Sequence, residues 1–137
     1  MKTKEIGHFM HKLIRTLQKI CAFQEQVFVY ETLLNKKIRT KLLKREAEMH
    51  VDKIIGFREV NIESEEGPNY HTLMPDETAS VIGKRFTVTP NELIILDRYE
   101  DEYIRKKIKL ASGNVAWVYF LKVQNMADKG HNLDVPN

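Results

Sequence analysis

The run Val27-Phe28-Val29-Tyr30-Glu31-Thr32-Leu33-Leu34 opens with four β-favouring residues, Val27 to Tyr30, whose apolar side chains fall on both faces of an extended chain. Such two-sided apolarity is the pattern of a strand buried within a sheet. The run stops at Glu31-Thr32, and beyond Asn35 the sequence turns basic and helix-like. A strand that ends abruptly before a helix leaves free backbone N–H groups at the junction, which suit an anion. On these residues alone the stretch is a buried strand followed by a turn.

Outward from that strand, residues 3–21 carry Ile6, Phe9, Met10, Leu13, Ile14, Leu17, Ile20 and Cys21 at helical spacing, with the basic residues largely opposite. This predicts an N-terminal amphipathic helix. Its apolar stripe suits docking on the chain's own surface, self-association or a partner helix, or a membrane surface, the first being the commonest fate of so wide a stripe. Residues 36–47 read as a short basic helix with Ile38, Leu42 and Leu43 inward. Residues 48–62 are strand-like, with Gly56 marking a bulge or bend. The acidic segment 64–69, with Gly67-Pro68, reads as a loop. Ala79–Val88 reads as a strand in which Gly83 permits bending or close backbone approach. Thr89-Pro90-Asn91-Glu92 is a helix start, with a capping threonine, a proline at the first helical position and a glutamate to complete a capping box. That helix, Pro90–Tyr99, is expected to bury Leu93, Ile94 and Leu96. Tyr103–Ala111, a turn at Ser112-Gly113-Asn114, and Val115–Val123 then form a hairpin. The last strand is apolar on both faces, as a central or barrel strand is. The tail, 124–137, is polar. Intermixed strands and helices give an α+β domain.

Composition bounds the function. The 137 residues suffice for one domain with a real core, and 42% hydrophobic with 30% charged residues is ordinary for a soluble globular protein. A single cysteine excludes an internal disulfide and a cysteine-based zinc site, which points to a reducing cytoplasm. No apolar run reaches transmembrane length, and His8, His11, Lys12, Arg15 and Lys19 interrupt any signal-peptide core. Residues 1–45 hold eleven Lys/Arg against three Glu, a surplus of +8, and the remainder carries −5. No nucleic-acid-binding motif accompanies the basic third, so no nucleic-acid partner is expected. His8, His11, His50, His71 and His131 show no metal-ligand spacing with carboxylates, and no metal or cofactor is expected.

The chemistry gathers at Leu96-Asp97-Arg98-Tyr99-Glu100-Asp101-Glu102-Tyr103-Ile104-Arg105, with four carboxylates in six residues where a helix ends. A helix C-terminus disfavours negative charge, and crowded carboxylates raise one another's pKa toward the range of a proton shuttle. The plain alternative is an acidic solvated loop.

Together these stretches resemble the γ-glutamylcyclotransferase-like proteins, including the γ-glutamylamine cyclotransferases and the AIG2-like group. Tyr30, Thr32 and Leu33 match the opening Tyr-Gly-Ser/Thr-Leu motif, with Glu31 in the place of glycine. Tyr70-His71-Thr72-Leu73-Met74-Pro75 resembles the Tyr-Pro-x-Leu-x-Pro pocket segment, with His71 for the first proline. Val81-Ile82-Gly83 matches Val-x-Gly. Leu96, Asp97, Tyr99, Glu100, Tyr103 and Arg105 match the second signature, and Ala116-Trp117-Val118-Tyr119 the last strand.

The resemblance implies a small mixed β-barrel of five or more strands flanked by helices, here spanning residues 27–123. The helix and linker at 1–26 and the tail at 124–137 would be additions. It implies an enzyme that releases 5-oxoproline and a free amine from a γ-glutamyl amide by internal cyclisation, with Glu100 as general acid/base. Backbone N–H groups of Glu31, Thr32 and Leu33 would hold the substrate carboxylate, with Tyr30 and Tyr119 lining the pocket and Arg105 supporting structure. Glu31 leaves three outcomes. It points away and activity survives; the substrate offers a cation there; or catalysis is lost, and the domain binds a small amino-acid-like ligand or a protein partner.

Overall fold

The computed structural model describes residues 3–22, 25–63 and 65–122, with side chains placed for 6–15, 25–63 and 65–122. The expected polar tail, and the side chains of Leu17, Ile20 and Cys21 in the expected apolar stripe, lie outside these residues. The elements run α1 (Thr3–Ala22), β1 (Glu25–Val29), a 3₁₀ turn (Thr32–Leu34), α2 (Lys36–Leu43), β2 (His50–Ile62), β3 (Tyr70–Val88), α3 (Pro90–Tyr99), β4 (Tyr103–Lys109) and β5 (Val115–Leu121).

The five strands form one mixed sheet in the order β2-β3-β1-β5-β4. β1 lies in the middle, antiparallel to β3 and parallel to β5, with Val27 opposite Trp117. This central place explains its apolar side chains on both faces: Val27, Phe28 and Val29 are all buried. Val27 and Val29 meet Leu43, Leu93 and Leu96 beneath α2 and α3, whereas Phe28 meets Ile54, Val81 and Val118 on the other face.

The sheet curls into a half-barrel, and polar contacts fasten the curl. Ala111 N–H donates to Lys53 O at 2.8 Å, which ties the β4–β5 turn to β2. Beside it the buried Asp52 carboxylate accepts from the Ser112 N–H and hydroxyl and pairs with Arg85 at 2.9 Å. A buried carboxylate is tolerable only when its lone pairs are filled in this way.

β2 and β3 make one long hairpin, so that Tyr70–Pro75 and Ala79–Val88 belong to a single strand. The expected separation of these two segments reflects an irregularity. Ile55 pairs with Ser80 but Phe57 pairs with Pro75, so Gly56 alone faces residues 76–79. Gly56 takes φ +86°, the left-handed region that favours glycine. The Asp76 side chain organises the extra loop by accepting from the Thr78 N–H and hydroxyl. Proline is tolerated in a sheet beside such a bulge.

Other expectations are met or corrected in detail. The capping box is formed: Thr89 Oγ1 accepts from Glu92 N–H, and Glu92 accepts from Thr89 N–H. Leu93 and Leu96 are buried, but Ile94 faces solvent at 50% exposure, because it lies on the side of α3 away from the sheet. α2 ends at Leu43 rather than near Ala47, since Lys44 enters the left-handed region at φ +56°. Over residues 6–15, the described part of the α1 stripe, the domain gives no cover. Ile6, Phe9, Met10, Leu13 and Ile14 are each 42–59% exposed.

Gly83 is where β3 crosses closest to β1. A Cβ there would lie 2.3 Å from Val29 O and 2.7 Å from the Phe28 ring, too close for either backbone or a fully packed aromatic to yield. Gly83→Ala should therefore destabilise the domain by roughly 1–3 kcal/mol. Gly7→Ala, where nothing lies within 4 Å, should cost nothing. Urea denaturation of the two variants separates these outcomes, and an unaltered midpoint for Gly83→Ala would refute the close approach.

Candidate functional site

A pocket of about 80 Å³ opens at the end of the half-barrel where β1 finishes. Tyr30, Glu31, Thr32, Leu33, Tyr119 and Glu100 all line it, so the structure brings together every site residue expected from the sequence. Phe28 and Val29 contribute at the base of the same strand, and Asn69, His71 and Tyr103 complete the wall.

Each part of the wall is held by a traceable set of bonds. After β1 the chain turns at Glu31 and enters the 3₁₀ turn, with Leu34 N–H bonded to Glu31 O at 2.8 Å. The first N–H groups of such a turn have no partner within it. Behind the turn, the buried Arg39 guanidinium donates to Leu33 O and Leu34 O at 3.1 and 3.2 Å. This positive group fixes the carbonyl ends of the turn. Asn35 caps α2 by accepting from Lys37 and Ile38 N–H.

Opposite the turn, a relay of polar side chains fixes the tyrosines. Tyr30 OH donates to Tyr119 O at 2.9 Å, and Tyr119 OH donates to Asp97 at 2.7 Å. Arg105 Nε reaches both Asp97 oxygens at 2.9 and 3.2 Å, while its guanidinium stacks 4.1 Å over Trp117. Arg105 is thus occupied by Asp97 and Trp117, in keeping with a supporting role. Burial pushes the Tyr30 and Tyr119 hydroxyls far above the ordinary tyrosine range, so both stay neutral donors. Burial likewise pushes Tyr103 up to about 12.

Glu100 is the C-cap of α3. Its N–H donates to Leu96 O at 2.8 Å and its carbonyl accepts from Tyr103 N–H at 2.9 Å, so the backbone is pinned on both sides. Burial, followed by the neighbouring Asp101 charge, pushes the Glu100 carboxyl up from 4.5 to about 7. At neutral pH this group is therefore divided between acid and base. That is the condition for taking and returning a proton.

Glu31 and His71, the two departures from the family motifs, face each other. His71 Nδ1 lies 3.2 Å from Glu31 Oε1. Glu59 adjoins them from β2, and its largely exposed carboxyl is raised by partial desolvation and then by a hydrogen bond shared with Glu31. Glu59 carries no sequence signal, because the β2–β3 register is what brings it to the site. Asn69 was likewise hidden in a loop. Tyr103 and His71 carried a signal, since both sit within motif segments.

No helix among the described residues is long and apolar enough to cross a membrane. No curated protein matches the chain. Among solved structures, a protein from Arabidopsis thaliana is similar at 23% identity and a TM-score of 0.64, over 82% of this chain and 78% of that one. An uncharacterized human protein is similar at 15% identity and a TM-score of 0.62, over 82% and 83% of the two chains. A structure named gamma-glutamyl cyclotransferase is similar at 17% identity and a TM-score of 0.61, over 72% and 67%. At such identities these likenesses establish the fold. The family model described as "Gamma-glutamyl cyclotransferase, AIG2-like" matches residues 27–135, and the chain belongs to that family.

Proposed function

We propose that the pocket is the active site of a cyclotransferase that converts a γ-glutamyl amide into 5-oxoproline and a free amine. The observation that carries this reading is Glu100, a carboxyl raised to about 7 in the wall of the pocket. In the proposed reaction the substrate α-amine attacks its own γ-carbonyl carbon. The new C–N bond closes a five-membered ring, and the bond to the leaving nitrogen breaks. Glu100 as carboxylate accepts a proton from the α-ammonium and as carboxylic acid delivers it to the departing nitrogen; the second proton, shed by the ring nitrogen after attack, follows the same route, so the amine leaves as ammonium and Glu100 returns to carboxylate. Because nucleophile and electrophile belong to one molecule, the site has chiefly to hold them in a folded pose. Glu100 and the turn after β1 lie in one pocket, as that pose requires.

The substrate carboxylate would lie against the N–H groups of Glu31, Thr32 and Leu33. Glu31 does not bar this, because its own carboxylate is engaged by His71 at 3.2 Å. The neutral Tyr30 and Tyr119 would shape the pocket without adding charge. A cytoplasmic location, expected from the single cysteine, fits a small-molecule substrate of this kind.

Two measurements on Glu100→Gln test the proposal. The native chain should release 5-oxoproline from at least one member of a panel of γ-glutamyl amines and dipeptides, and the variant should lose that turnover by a hundredfold or more. Absence of turnover in the folded native chain on every member would overturn the reading.

Stability gives a second, independent readout. Below pH 4.5 Glu100 is protonated in both folded and unfolded chains. Between 4.5 and about 7 only the folded chain keeps the proton, so folded stability falls as pH rises, and above 7 the full cost of a buried charge remains. Glutamine carries no such cost. Glu100→Gln should match the native chain near pH 4 and exceed it at pH 8 by at most about 3 kcal/mol. Urea titrations across that range would show a gap opening with pH, and a constant gap would contradict the raised carboxyl.

A further inference from the structure

The geometry points to a divalent cation site at the rim of the pocket, formed by Glu31, Glu59 and His71. These residues come from three separate segments: the turn after β1, strand β2 and strand β3. One ligand atom from each lies within 4.8 Å of the other two. Asn61 pairs with His71 and Glu59 pairs with Leu73, so Glu59 and His71 share one face of the hairpin as diagonal neighbours. His71 Nδ1 and Glu31 Oε1 are already 3.2 Å apart. In a tetrahedral site with metal–ligand bonds near 2.1 Å, ligand atoms stand roughly 3.4 Å from one another. One pair thus has the spacing already, and Glu59, an exposed side chain with three rotatable bonds, can close the other two sides by torsional change.

The donor set selects the ion. An imidazole nitrogen beside two carboxylates favours a d-block divalent ion such as Zn²⁺ or Mn²⁺ over Mg²⁺ or Ca²⁺, which prefer all-oxygen shells. Two carboxylates with a neutral imidazole carry a formal −2, which the ion would cancel. Three protein ligands leave coordination open, and because Glu31 and His71 line the pocket, the open side can face its interior. An ion there would neutralise Glu31 and offer its open coordination position to the substrate carboxylate. That role rests on the proposed reaction, whereas binding of the ion does not. The motif departures at Glu31 and His71 would then act as a single unit.

Isothermal titration of the 137-residue chain, purified metal-free, with Zn²⁺ tests the site, with Mn²⁺ followed by electron paramagnetic resonance as a second probe. One saturable ion per chain in the micromolar range is expected, with Mg²⁺ at least a hundredfold weaker. Glu59→Gln and His71→Asn should each weaken Zn²⁺ at least tenfold, and far-ultraviolet circular dichroism would confirm that both variants fold. The pair His8→Ala with His11→Ala, on α1, should leave the affinity unchanged, as should Glu100→Gln. No saturable binding, or binding abolished by the α1 pair and indifferent to Glu59→Gln and His71→Asn, would overturn the proposal. Zinc binding without turnover would remove the proposed reaction and leave the site standing, and turnover without zinc binding would do the reverse.

Discussion

The parallel pairing of β1 with β5 is the constraint from which the site follows. Parallel neighbours cannot be joined by a tight turn, so the chain must travel through α2, the long β2–β3 hairpin, α3 and β4 before β5 can lie beside β1. The result is that the C-terminal ends of β1 and β5 come to the same end of the sheet. β3 and β4, antiparallel to them, begin at that end. Tyr30, Glu31, His71, Glu100, Tyr103 and Tyr119 are spread over ninety positions yet meet in one pocket for this reason.

Two polar systems then take different tasks. At the far side of the sheet, Asp52, Arg85 and Ser112 fasten β2 to the β4–β5 turn and hold the curl closed. At the pocket, the series Tyr30–Tyr119–Asp97–Arg105 links β1, β5, α3 and β4 by side-chain bonds. The second series sets the width of the pocket, because each member fixes the next. Its charges are balanced internally, with the Asp97 carboxylate against the Arg105 guanidinium, so Glu100 feels burial and Asp101 rather than a neighbouring cation.

Local chemistry was readable from the residues where it is set by a few neighbours. The buried strand, the bulge at Gly56, the capping box at Thr89 and the turn at Gly113 all declare themselves within short windows. Gly83 did so in part: the sequence offered close approach, and the partner, Val29 O, is known only from the fold. The expected site residues also came together, since their motifs mark the ends of elements. What stayed hidden depends on register. Histidine spacing along the chain did not reveal the cluster of Glu31, Glu59 and His71, because these residues converge across strands rather than along one helix. The continuity of β3 was masked for a similar reason, as residues 76–79 interrupt the alternation without ending the strand. The α1 stripe misled in the opposite direction. Its periodicity predicts burial, but periodicity names no partner, and residues 6–15 stand exposed.

The irregularity at Gly56 divides the β2–β3 hairpin into two halves with different obligations. The inner half carries Asp52 and Arg85 and pairs with β1, so its geometry is dictated by the core. The outer half carries Glu59 and His71 to the pocket and pairs chiefly with itself. Residues inserted or lost near 76–79 would re-aim the outer half while the inner half kept its register. The outer half is anchored as well: Ile62, Tyr70, Thr72 and Leu73 are buried, and Leu121 N–H donates to Thr72 Oγ1 at 2.9 Å, so a change in the pocket rim is felt in the core.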